Sequence, residues 1–211
     1  MSDISTVVTD YLLAGLSALF GFLLLRDSGA SLPRKLWGWA LLASALAAFA
    51  GGTWHGFQHL LPEPGLFWIW KAVIYLIGVF GLLAVGGTLM SAASGWRRAA
   101  LLAPMIAVTA VYAAYMTTHD EFIYVIYFNA TAMLFVLLAH LYTGYRRSDP
   151  ASPWMIAGVL VSGLAAAVQA SGVSVHEHFN HNDLFHVIQM IGVYLLYRGA
   201  SRLGPPRSAA A

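Results

Sequence analysis

The run LFWIWKAVIYLIGVFGLLAVGGTLM at 66–90 carries one charged side chain, Lys71. A helix needs about 20 predominantly apolar residues to cross roughly 30 Å of hydrocarbon, so this stretch reads as a membrane span. Six similar runs surround it, at 6–25, 36–60, 99–116, 122–143, 154–171 and 184–203. Together they use nearly the whole chain, which predicts one all-α domain over 1–211, a seven-transmembrane helix bundle with no soluble module.

Composition points the same way. The chain is 59% hydrophobic and 9% charged, against about 25% charged in an ordinary soluble domain. Cysteine is absent, so disulfides and thiolate ligands are excluded and any metal must be held by nitrogen and oxygen. The opening Met1-Ser2-Asp3-Ile4 lacks the basic n-region and small-residue cleavage site of a signal peptide, so the first run is expected to remain as a helix. Ten of the eleven Lys and Arg residues fall in alternate connections and at the C-terminal end, leaving Lys71 alone on the other side. By the positive-inside rule this places the N-terminus out and the C-terminus in. The distribution does not describe a nucleic-acid surface.

Several capping signals mark the helix ends. Thr118 and Glu121 have the spacing of a capping box, Ser152-Pro153 reads as an N-cap followed by proline, and Asn182 or Asp183 can cap the last helix. Trp54, Trp68, Trp70 and Tyr124 read as an aromatic belt. Lys71 can neutralise a carboxylate, bind an anionic group or snorkel to the headgroups.

Seven of the eight histidines lie at or near the outer helix ends, His140 being the exception. His55 and His59, four residues apart, share a helix face and can present two nitrogens to one metal. An ionisable group inside a membrane helix is by default a functional hypothesis. On the last helix His186 shares a face with Asn182 and Asp183, whereas five residues separate it from His181, an offset of about 140°. His181 therefore joins His186 at one ion only from a non-helical cap. Asp183 can ligate directly or hold an imidazole as an acceptor behind the metal. His119, His176 and His178 read mainly as loop residues. Gln169, Ser171 and Ser174, with Glu121, Val125 and Asn129, suggest a polar funnel, although each also reads as an ordinary interhelical or loop contact.

Seven helices with the N-terminus out, histidines on helix two and a histidine motif on helix seven resemble the superfamily that includes alkaline ceramidases and the progestin and adipoQ receptors. The stretch Asn180-His181-Asn182-Asp183-Leu184-Phe185-His186-Val187-Ile188-Gln189 is also similar to bacterial membrane proteins of that group. The resemblance implies zinc held by one histidine of helix two and two of helix seven, and hydrolysis of a lipid amide. This chain departs from the pattern at Gly51, where a serine is expected four residues before His55. Helix three lacks an aspartate, and Asn182 replaces the first histidine of the terminal motif.

Two functions follow as expectations. One is a zinc-dependent membrane hydrolase of a lipid amide or ester in a bacterial inner membrane, with His55, His59, His181 and His186 as metal ligands and Asp183, Glu177 or Glu121 as general base. The other is a receptor-like protein that binds a lipid or other ligand and uses the same metal structurally. Haem ligation, a retinal Schiff base and transport have weaker support, since helix seven has no lysine and no broken midplane helices are evident.

Overall fold

Helices form where the apolar runs stand, with ends displaced by a few residues: α1 (Ile4–Leu25), α2 (Leu32–Phe57), α3 (Glu63–Ala92), α4 (Gly95–Tyr115), α5 (Phe122–Arg147), α6 (Ser152–Ser171) and α7 (His181–Ala200). The computed structural model describes residues 4–176 and 179–205. Among these the only strand-like pairing is an isolated bridge between His176 and Phe179. Helices α1 to α6 are long and apolar enough to cross a membrane, which suggests an integral membrane protein. The 20-residue α7 is not among them; its first half carries Asn182, Asp183, His186 and Gln189.

Two expected caps fail and one moves. Glu121 is the N-cap of α5 and makes no side-chain cap bond, while the Thr118 hydroxyl donates to the Tyr115 carbonyl at 3.3 Å. Ser152 is already helical, with Ala151 at the cap. Helix α7 starts from Asn180, whose side chain accepts from the Asn182 N–H at 2.8 Å while Asp183 Oδ2 accepts from the Asn180 N–H at 2.7 Å. This reciprocal bonding satisfies donors that a helix start leaves open. Lys71 neutralises no carboxylate among the described residues: its Nζ donates to the carbonyls of Met116 at 2.7 Å and His119 at 3.0 Å, closing the C-terminal end of α4.

Packing joins α1 to α2, α2 to α3, α3 to α5, α5 to α6, α6 to α7 and α7 back to α1, a ring with α4 outside it against α3. Small residues set the tight seams. A Cβ on Gly21 would lie 2.9 Å from the Gly38 carbonyl oxygen across α1 and α2, and one on Gly158 would lie 2.8 Å from Leu196 Cγ across α6 and α7. Close backbone approach of this kind is how helices gain contact where lipid supplies no hydrophobic drive. Gly163 of α6, by contrast, has open space around it.

At the end where the basic residues collect, α5 and α6 are tied by a polar knot. The Ser152 hydroxyl donates to Asp149 Oδ2 at 2.9 Å and lies 2.9 Å from Thr143 Oγ1 and 3.2 Å from His140 Nδ1. Burial pushes the Asp149 carboxyl up, but hydrogen bonds from His140, the Ala151 N–H and Ser152 outweigh it and hold the group below its ordinary value.

Two outcomes test this packing. Gly158→Val should lower thermal stability by about 1–3 kcal/mol, the usual cost of overpacking, while Gly163→Ala leaves it unchanged. Because Asp149 is depressed in the folded protein, its stabilisation is complete above the unfolded pKa of about 3.9 and is lost as pH falls through the lower folded value. Melting curves of wild type and Asp149→Asn should therefore differ at pH 6 and converge below about pH 4; a gap independent of pH would contradict the assignment.

Candidate functional site

The ring encloses a cavity of about 740 Å³ to which α1, α2, α3, α5, α6 and α7 all contribute. That volume lies in the roughly 300–1,000 Å³ range of small-molecule sites. Its ionisable lining residues are Asp10, His55 and His186. Amides line the cavity as well. Gln169 Nε2 donates to Asn182 Oδ1 at 3.0 Å, Gln189 Nε2 donates to Ser162 Oγ at 3.2 Å, and Asn129 Oδ1 has no hydrogen-bond partner among the described residues. Farther toward the basic end the wall is apolar, with Phe80, Leu137, Val193 and Leu196.

At the polar end His186 Nε2 stands 3.1 Å from Asp10 Oδ1. Both side chains are more than nine-tenths buried, at 8% and 6% exposure. Such burial is costly unless the groups satisfy each other. Asp10 Oδ2 has no hydrogen-bond partner among the described residues. A glycine pair on α2 makes room for this carboxylate: a Cβ on Gly52 would lie 2.9 Å from Asp10 Cβ, and one on Gly51 would lie 3.7 Å from Oδ1. Gly51, where the resemblance led one to expect serine, is thus the residue that faces Asp10.

The other face of the imidazole is held by α1. Thr9 Oγ1 is 2.9 Å from His186 Nδ1, and Ser5 O at 3.0 Å, Thr6 O at 3.1 Å and Asp183 Oδ1 at 3.4 Å compete for its one proton. When any of them takes it, His186 donates from Nδ1 and turns a bare Nε2 lone pair toward Asp10. Two acceptors at that separation need a proton or a cation between them. The spacing is close to the edge of about 3.3 Å between two ligand atoms of a tetrahedral zinc site.

Asp183 is not in the cavity. Fully buried, it accepts from Ser5 Oγ at 3.1 Å and from the Asn180 N–H, and reaches the imidazole through Thr9. It fits the part of an acceptor behind the ring rather than a general base. Glu177, the other expected base, lies outside the described residues. His55 lines the cavity and is near enough to interact electrostatically with His186. His59 is exposed past the last residue of α2, so the expected pair on one helix face is not formed. His181 is the first helical residue of α7, not part of a non-helical cap, and does not line the cavity. Among the described residues no three His, Asp or Glu side chains are grouped closely enough to hold a metal ion.

Of the expected funnel residues, Gln169, Val125 and Asn129 line the cavity, as does Trp70, which was expected in the aromatic belt; Glu121, Ser171 and Ser174 do not. The residue that sequence reasoning noted only as one of several acids near the outer helix ends, and did not select for the site, is Asp10. Its signal was present, a carboxylate about 9 Å inside a membrane-length helix at 1.5 Å per residue.

The cavity also reaches the side of the bundle. Ile126, Ala130 and Leu134 of α5, spaced by four, and Leu160, Gly163 and Ala166 of α6, spaced by three, line it and are all exposed. The seam between α5 and α6 is therefore an opening.

The chain belongs to DUF6962, a family of unknown function, whose model matches residues 5–205. No curated protein and no solved structure matches it.

Thr9→Val should cost about 1–3 kcal/mol, the penalty for leaving a buried partner unsatisfied, and Thr9→Ser should recover most of it. Nitrogen-15 NMR of the histidine rings checks the cause: the His186 signals should move in the valine variant and return in the serine one.

Proposed function

We propose that this protein is a membrane-embedded hydrolase of a lipid amide or ester, with Asp10, His186 and His55 as the reacting end of the cavity. The observation that carries this reading is the confinement of ionisable groups in a 740 Å³ cavity to those three residues, beside an opening between α5 and α6 that faces the apolar exterior. An acyl chain enters sideways through that seam and lies along Leu137, Val193 and Leu196. The headgroup meets the amides of Gln169, Asn182 and Gln189, which orient its carbonyl.

Asp10, His55 and His186 make up a donor set of one carboxylate and two imidazoles, the chemistry that suits zinc. As they stand the three are not grouped closely enough to hold an ion, so zinc would bind only with a shift of His55 toward the other two. Zinc held there would lower the pKa of a bound water to about 7 and polarise a carbonyl. The unpartnered Asp10 Oδ2 supports a cation here, since a buried carboxylate oxygen left alone is costly. Thr9 and Asp183 fix the His186 ring. Asp10, the carboxylate of the cavity, would accept a proton from water entering the site and return it to the departing amine or alcohol. With the N-terminus outside, as the distribution of basic residues favours, this chemistry takes place at the outer leaflet of a bacterial inner membrane. This reading extends the ceramidase-like resemblance drawn from the sequence, with a carboxylate on α1 in place of one on helix three.

A second reading has its own support: the described residues do not bring three ligands together, which suits a protein that binds an amphiphile without cleaving it.

Metal analysis and fatty-acid release from ceramides and phospholipids separate the two. Protein purified without chelator should carry about one zinc, lost in Asp10→Asn, His55→Ala and His186→Ala, with hydrolysis falling by at least about a hundredfold in each. Stoichiometric lipid without turnover would favour the binding protein. A metal-free wild type with no hydrolysis would sink the hydrolase.

A further inference from the structure

The opposite end of the molecule holds a second, smaller cavity of about 130 Å³. At about 30 Å³ for each water displaced, it has room for one phosphate group. Two arginines line it, Arg147 from the last residue of α5 and Arg202 from just past α7, together with the hydroxyl residues Ser91 and Thr143.

Both guanidinium groups are held in place by contacts that use little of their donor capacity. Arg147 Nη1 donates to the carbonyl of Ala92, the last residue of α3, at 2.9 Å. Arg202 Nη1 donates to the Arg198 carbonyl, and its guanidinium lies over the Trp154 ring at 4.9 Å. Each guanidinium has five N–H donors in a planar fork that matches a phosphate oxygen pair. Anchoring through one donor and one ring leaves the others for a ligand.

Asp149 also lines this cavity, and a free carboxylate there would repel an anion. Its oxygens are engaged. Oδ1 accepts from the Ala151 N–H at 3.2 Å, and Oδ2 accepts from Ser152 Oγ at 2.9 Å and Thr143 Oγ1 at 3.5 Å, with His140 Nδ1 3.7 Å away. The acid keeps its charge but is committed to the knot that joins α5 to α6, and the two guanidinium groups outweigh it, leaving the pocket net positive.

We propose that this pocket binds a phosphate group, carried by an anionic phospholipid headgroup or by free phosphate. Basic pockets between helix ends on the positively charged side of a membrane protein bind lipid headgroups by the same chemistry. The site is independent of the hydrolase reading, because no residue is shared between the two cavities.

The test uses the purified full chain in neutral detergent, titrated with dioctanoyl phosphatidylglycerol, dioctanoyl phosphatidylcholine and inorganic phosphate, with affinity read from thermal shift. Phosphatidylglycerol should bind at least tenfold more tightly than phosphatidylcholine. The double variant Arg147→Gln, Arg202→Gln should weaken it at least tenfold. Arg26→Gln with Arg97→Gln removes the same charge from exposed positions off the pocket and should change affinity less than twofold. Inorganic phosphate that binds alone and competes identifies a free-anion site; phosphate that does neither while the lipid binds identifies a headgroup site. Equal losses in the two double variants, or equal affinity for the two lipids without phosphate binding, would overturn the proposal. Should the double variant fail to fold, the exposed Arg147→Gln alone must show a loss of at least threefold.

Discussion

A carboxylate and an imidazole 3.1 Å apart, Asp10 on α1 and His186 on α7, close the ring of helices at its polar end. Neither group is stable alone in an apolar interior, where an isolated charge is very costly and an unpaired polar group costs a few kcal/mol. Each therefore requires the other helix to be where it is. The residues around them follow from that requirement: Gly51 and Gly52 leave room for the carboxylate, Thr9 holds the far side of the ring, and Asp183 holds Thr9 while forming the capping box that starts α7. Four short side-chain decisions thus fix one contact between the first and last helices.

The same physics explains why the bundle is closed in some places and open in others. Where glycines face a neighbour, as at Gly21 and Gly158, backbones approach and the seam is closed. Between α5 and α6 the polar knot around Asp149 and Ser152 holds the basic end together, whereas Ala130, Gly163 and Ala166 border an opening nearer the other end. A polar cavity head, an apolar tail and a side entrance together describe a site for an amphiphile. The proposed chemistry draws on this combination rather than on any single residue.

Much of this was legible in the chain itself. Seven helices stand where the apolar runs are, and six of them are long and apolar enough to cross a membrane; α7, whose first half is polar, is not. His186 and His55 stood out because ionisable groups within such helices are rare. The other candidates depended on details that period and composition do not carry. His59 was lost when α2 ended at Phe57, three residues short of the expected limit. His181 was lost when the cap settled on Asn180 and drew it into the helix, keeping the 140° offset from His186. Asp183 changed part because two backbone or hydroxyl donors claim its oxygens, and Lys71 found helix carbonyls where a headgroup or carboxylate was expected.

By itself the sequence determined the number of helices, their approximate ends and the separation of a basic end from a histidine-rich one, since each of these depends on local composition and on the solvent the helix must cross. Only the tertiary structure decided that Asp10 is the partner of His186. That pairing spans 176 positions along the chain, and nothing in either local stretch specifies which of the seven helices will be its neighbour. Helix periodicity orients a side chain about its own axis; choosing the side chain it meets requires the packing of all the others.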